Sequence, residues 1–173
     1  MLVGNRVRLR AMVTTDAEAI LKIYEEGIQT GHATFEAEVP DWYKWDSGHL
    51  TQCRWVAEEG NTVLGWAALT QVSPRKVYSG VAEVSIYVSL NAQNQDIGSI
   101  LLERLISSLE ESSFWTLHAQ VFPENKISIY VHEKQGFRKS GTRRQLALMS
   151  YGSMEGKWRD VVLMERRSTI SGI

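Results

Sequence analysis

The run Phe122-Pro-Glu-Asn-Lys-Ile-Ser-Ile-Tyr-Val-His-Glu-Lys-Gln-Gly-Phe137 decides the fold. It reads as the end of a strand, a helix from Asn125 to Lys134, and a Gly136-Phe137 turn into another strand. Asn125 suits a helix start, because its side chain can accept from the free N–H groups of the first turn. His132 stands seven residues beyond Asn125, so the two side chains share a helical face. Trp115 to Phe122 supplies the strand before the helix, and Arg138 to Leu148 the strand after it.

The pattern extends in both directions. Ala82, Val84, Ile86 and Val88 alternate with Glu83, Ser85 and Tyr87, which predicts a strand at 82–88. Ile97 to Leu109 carries Ile97, Leu101, Leu105 and Leu109 along one stripe, a strong amphipathic helix. Cys53 to Ala57 and Val63 to Val72 read as a hairpin around Glu59-Gly-Asn61. Val7, Leu9 and Ala11 alternate with arginines in a first strand. Thr15-Asp-Ala-Glu18 reads as a capping box. Ala19 to Ile28 follows at helical spacing, with Gly27 and Gly31 as stop signals. His32 to Val39 is a loop or short strand, and Pro40 to Gln52 a less regular helix. Lys157 to Met164 is the last strand, after the polar turn 150–156. The expected order is β-α-α-β-β-β-α-β-α-β-β. It makes one α/β domain over residues 1–173, a single mixed sheet flanked by helices.

Composition narrows the function. The 173 residues carry a net charge of −1, with 43% hydrophobic and 23% charged residues, an ordinary balance for a soluble globular protein. There is no basic footprint for nucleic acid and no apolar run of membrane-spanning length. The single Cys53 has no disulfide partner and no metal-ligand spacing around it, so no metal site is expected. These features point to the cytoplasm. Trp42, Trp45 and Trp158 stand in polar contexts, where aromatic side chains can serve binding as well as packing.

The order of elements, with several local motifs, resembles the GCN5-related N-acetyltransferase (GNAT) superfamily and, within it, the phosphinothricin N-acetyltransferase group. The marks are Ala33-Thr-Phe35, Ala82-Glu-Val-Ser-Ile-Tyr-Val88, Phe114-Trp-Thr-Leu117, Phe122-Pro-Glu-Asn125, His132-Glu-Lys-Gln-Gly-Phe137 and Gly156-Lys-Trp-Arg-Asp160. The resemblance covers residues 5 to 168. It implies a sheet that splays between two parallel central strands, with acetyl-coenzyme A as cosubstrate in the gap. It also suggests a homodimer.

The resemblance assigns a pyrophosphate loop to Gln93, Asn94, Gln95, Asp96, Ile97 and Gly98, at the start of the 97–109 helix. Free backbone N–H groups and the helix dipole favour anions there. Asp96 stands where the family usually carries glycine. A carboxylate beside a pyrophosphate is repelled, yet aspartate tolerates left-handed backbone and caps helices. Ile86, Tyr87 and Val88 resemble the strand that bonds the pantetheine arm, with Asn125 and Ser128 beside it. A free N–H at the splay could polarise the thioester carbonyl. Asn125 serves equally as a plain helix cap.

Acetyl transfer to an amine requires loss of the ammonium proton, stabilisation of an oxyanion and neutralisation of the departing thiolate. Glu83, on the polar face of the 82–88 strand, is the first candidate base, directly or through a water. His132 is the second catalytic candidate, as acid or base; many superfamily members have tyrosine at this helix position. Tyr130 points away from that face. The resemblance places Phe35, Arg75, Tyr78, Glu83 and Trp158 around the acceptor. Glu36 follows Phe35 where group members often carry arginine. The expected activity is acetylation of a small amino-acid-like amine of the phosphinothricin or methionine sulfoximine type by direct transfer. A polyamine or protein amine, or a non-catalytic acyl-CoA-binding module, remains an alternative.

Overall fold

The computed structural model describes residues 2–3, 6–110, 112 and 114–172. Its strands are β1 (Leu2–Val3), β2 (Val7–Ala11), β3 (Trp55–Glu59), β4 (Thr62–Gln71), β5 (Val81–Val88), β6 (Thr116–Val121), β7 (Arg138–Leu148) and β8 (Trp158–Arg167). Its helices are α1 (Ala17–Gln29), α2 (Trp42–Gly48), α3 (Ile97–Glu110) and α4 (Lys126–Lys134). The strands form one eight-stranded mixed sheet in the order β1-β2-β3-β4-β5-β6-β8-β7. The expected element order holds, with β1 as an added two-residue edge strand paired to β2.

Alternation along β5 divides the core. Ala82, Val84, Ile86 and Val88 join Leu101, Leu105 and Ile129 of α3 and α4. Tyr87 joins Ile20, Ile23, Trp45 and Trp66 on the other face, beneath α1 and α2. The period-2 pattern thus places α3 and α4 on one side of the sheet and α1 and α2 on the other.

Two local readings change at α1. The helix does not stop at Gly27 but continues to Gln29. A Cβ at Gly27 would lie 2.7 Å from the Tyr87 ring, so glycine is required there for close packing. The turn comes at Gly31, whose φ is +68°. The helix start is also built differently. A short 3-10 turn, Thr14–Asp16, precedes α1, and Asp16, not Thr15, carries the contacts. Its Oδ2 accepts from the Val13 N–H at 2.8 Å and from Arg10 at 2.7 Å. Those bonds hold the Asp16 carboxyl below its usual pKa. Trp45 departs from its polar sequence context: it is buried between Trp42, His49 and Trp66.

The centre of the sheet positions the site. Parallel strands β5 and β6 pair at only three registers, Val81↔Thr116, Ala82↔Leu117 and Glu83↔His118. Beyond them β5 stays on β4 as far as Val88↔Gly65, and β6 stays on β8 as far as Val121↔Val162. Each strand follows its outer ladder, and the two part after Glu83 and His118.

Candidate active site

A cavity of about 470 Å³ occupies that opening, within the size range of small-ligand sites. Asn125, Ser128 and His132 of α4 line one side. Ser85, Ile86, Tyr87 and Gln120 of the parted strands line its waist. Phe35, Glu36, Lys44, Trp45, His49 and Trp66 line the side beneath α1 and α2. The cavity therefore joins the two faces of the sheet through the gap.

The start of α4 sets its polar groups. Asn125 Oδ1 accepts from the Ser128 N–H at 3.1 Å, a helix cap, while its Nδ2 donates to the His32 carbonyl at 3.3 Å. One turn later His132 Nδ1 lies 2.7 Å from the Ser128 carbonyl. A carbonyl only accepts, so Nδ1 carries the proton and Nε2 a free lone pair. That Nε2 is buried and finds no hydrogen-bond partner among the described residues. Burial holds the imidazole below its usual pKa, so the neutral ring is favoured. Tyr130 is exposed on the opposite face.

Glu83 lies where the strands part. Its Oε2 accepts from Gln120 Nε2 of β6 at 2.6 Å, so a side-chain bridge continues where the backbone ladder ends. Below it, the loop after α1 is held by its carbonyls. Arg159 Nη1 donates to Gly31 O at 2.9 Å, and Tyr151 donates to Thr34 O at 2.8 Å. Arg159 Nη2 also reaches His32 Nδ1 at 3.0 Å and Glu124 at 3.2 Å. The buried guanidinium stacks 3.8 Å over the Phe122 ring, and Phe35 meets Phe122 edge-on. These bonds place Phe35 and Glu36 at the cavity.

His49 donates from Nδ1 to the Trp45 carbonyl at 2.7 Å and stacks on the indole. Burial lowers its pKa as well. Burial raises the Tyr24 and Tyr87 phenols, so both stay protonated donors.

The 93–98 turn stands at the surface, at the far end of β5, and is not part of the cavity wall. Asn94 and Asp96 both adopt left-handed backbone, φ +61° and +59°. The Asp96 carbonyl accepts from the Ile100 N–H at 3.1 Å at the start of α3. The turn thus holds left-handed backbone at two positions without glycine at either.

Three expected acceptor residues are not brought to the cavity within the chain. Arg75 lies over the Tyr78 ring at 5.7 Å in the exposed loop before β5. Trp158 is 59% exposed at the start of β8. Conversely, Gln120, Lys44 and His49 line the cavity, although the sequence singles out none of them; Trp45, read as a packing or binding aromatic, lines it too, and Arg159 supports it. Among the described residues no group of three or more His, Cys, Asp or Glu could hold a metal ion.

The unpaired edge of β5, the orphaned His132 Nε2 and the left-handed turn at the head of α3 fit a long ligand with an anionic portion and a polar arm. A parted parallel pair with these features defines an acetyltransferase of the acetyl-coenzyme A type. The family model for the Acetyltransferase (GNAT) family matches residues 17–137, and the chain belongs to that family. It is 33% identical to a phosphinothricin N-acetyltransferase of Alcaligenes faecalis, over 91% of this chain and 81% of the relative. A phosphinothricin acetyltransferase from Sinorhizobium meliloti, solved in complex with acetyl-CoA, is 26% identical with a TM-score of 0.84. It covers 96% of this chain and 91% of its own. A ribosomal-protein-alanine N-acetyltransferase from Brucella melitensis is 28% identical with a TM-score of 0.81, covering 93% and 99%. The chain is an N-acetyltransferase with acetyl-CoA as cosubstrate.

Proposed function

We propose that the chain, as one N-acetyltransferase domain, acetylates the amino group of a small amino acid of the phosphinothricin or methionine sulfoximine type. The observation that carries this reading is the cavity that crosses the sheet at the splay, with His132 on one side and Glu83 at its waist. A thioester entering from the α4 side can meet an amine entering from the α1–α2 side. Bound acetyl-CoA supplies the activated acetyl group.

The chain's own groups divide the work. Backbone N–H groups of Gln93 to Gly98 hold the pyrophosphate. Ile86, Tyr87 and Val88 offer an unpaired strand edge to the pantetheine arm, with Asn125 and Ser128 alongside. Glu83 binds the ammonium and takes its proton, directly or through a water. His132 has its lone pair at Nε2 in the resting state, so it acts first as an acceptor. Phe35 shapes the acceptor side. Arg75, Tyr78 and Trp158 contribute only from a homodimer, in which the exposed Leu146, Leu148 and Trp158 would be covered. No described helix is long and apolar enough to cross a membrane, and the composition suits the cytoplasm.

A second reading is a peptide or polyamine acceptor. Glu36 and Glu83 both line the cavity, which favours a cationic substrate. Calorimetric titration with acetyl-CoA, followed by thiol release with phosphinothricin, methionine sulfoximine, spermidine and an alanyl peptide, tests both. Turnover of the amino acids supports the first reading. Turnover of the polyamine or peptide alone supports the second. Absence of acetyl-CoA binding at millimolar ligand defeats both.

A further inference from the structure

Resting on an amine that enters from the α1–α2 side, we infer that His49 is a second proton acceptor of the transfer, taking through Glu83 or a water the proton that the acceptor ammonium must lose. Its ring is held as the His132 ring is. Each Nδ1 stands 2.7 Å from the carbonyl four residues earlier, Trp45 O for His49 and Ser128 O for His132. Both rings therefore carry a proton at Nδ1 and a lone pair at Nε2, and both line the same cavity. His132 serves the α4 side, and His49 the side beneath α1 and α2.

The register of the sheet sets His49 on the face that carries Glu83. β4 and β5 pair Trp66↔Tyr87, Ala68↔Ser85 and Thr70↔Glu83, so these side chains share one face. The Leu50 N–H donates to Leu69 O at 2.8 Å, next to Thr70, and the His49 ring meets Trp66 edge-on at 6.0 Å. Burial keeps the resting ring neutral against the pull of the Trp45 carbonyl, with Arg54 and Asp46 acting in opposite senses. Arg54, paired with Asp46, donates to the His49 carbonyl at 2.8 Å. Glu36, Lys44, Tyr24, Glu83 and Tyr87 line the cavity from the loop after α1, from α2, from α1 and from β5; His32 and His132 complete its titratable groups. Once charged, the imidazolium lies on the Trp45 indole, ring centroids 4.0 Å apart, a contact that favours a cation.

The proton count calls for such a group. Acetylation of an ammonium removes two protons from nitrogen, and the departing thiolate takes one. The other has to reach solvent. One N–H bond breaks, its electron pair stays on nitrogen for the attack, and the proton passes to the Nε2 lone pair. The imidazolium then releases it to bulk water.

His49→Asn keeps a donor for the Trp45 carbonyl but cannot take up a proton. With saturating acetyl-CoA and whichever member of the acceptor panel turns over, kcat/KM for the acceptor is expected to fall at least about tenfold near about pH 7, with acetyl-CoA affinity unchanged. The deficit should shrink at least about threefold by about pH 9, where more of the amine arrives deprotonated. An unchanged kcat/KM overturns the inference. So does a loss of equal size at both pH values, which would leave His49 as the cap of α2 alone. Nitrogen NMR of the imidazoles in the unaltered chain reads the tautomer with no variant and no turnover. A bare His49 Nε2 at about pH 8 supports the inference, and a protonated Nε2 overturns it. Turnover of the polyamine or peptide alone defeats the amino-acid reading and leaves the His49 comparison in force.

Discussion

Gln120 Nε2 donates to Glu83 Oε2 at 2.6 Å across the gap between β5 and β6, immediately beyond the last backbone register, Glu83↔His118. The bond fixes one carboxylate oxygen and leaves the other for an amine or a water. Removing the Glu83 carboxylate as Glu83→Gln is expected to lower kcat at least about tenfold, or ~1.4 kcal/mol in barrier. Gln120→Leu is expected to lower kcat by a similar order while leaving acetyl-CoA affinity unchanged. Because Gln120 acts through Glu83, the double variant should be little worse than Glu83→Gln alone. Additive losses in steady-state kinetics would separate the two residues.

The His132 imidazole gives a pH signature. Burial lowers its folded-state pKa, and that of His49, below the ordinary value of about 6.5. As pH falls through about 6.5 the unfolded chain therefore takes up protons first. Stability from these neutral rings is complete above that pH and is lost as pH falls from there toward the folded-state pKa. Thermal unfolding across about pH 7.5 to 5 should show Tm falling on the acid side. His132→Gln should flatten part of that fall and lower turnover. An unchanged pH slope in the variant would show that His132 does not titrate in this range.

Much of this architecture was legible because it is local. Strand and helix periods in β5, α3 and α4 predicted which faces meet the core, and the Asn125–His132 spacing predicted a shared face that does line the cavity. Contacts between distant residues were not legible. The Arg159–Gly31 bond spans 128 residues and the Gln120–Glu83 bond 37, and no local pattern pairs the two partners of either bond. Gly27 misled because helix stop and close packing call for the same residue type. Trp45 fits both roles open to it, packing and binding: Trp66 and Val56 from β4 and β3 bury it, and it lines the cavity.

Asp96 tests whether the 93–98 turn binds an anion. Its backbone already holds φ +59°, which glycine adopts without strain. Asp96→Gly removes a negative charge from the head of α3 and should leave the turn's shape intact. Acetyl-CoA affinity is expected to rise about two- to fivefold, ~0.5–1 kcal/mol. The gain should shrink with added salt. Titration calorimetry at low and high ionic strength reads both effects, and weaker binding by the glycine variant would place the pyrophosphate elsewhere.

Arg159 connects stability to the acceptor side. Its guanidinium is 1% exposed and holds the Gly31 carbonyl, His32 and Glu124 while packing on Phe122. Arg159→Met keeps much of the volume but leaves the Gly31 carbonyl and His32 Nδ1 without this donor. The expected cost is about 2–4 kcal/mol. Arg159→Lys should recover little of it, because one ammonium cannot reproduce the planar fork or the stacking. Denaturant unfolding measures the cost. Since the same bonds place Phe35 and Glu36, both variants should also raise the acceptor KM more than the acetyl-CoA KM. A parallel rise in the two constants would assign Arg159 to general stability alone.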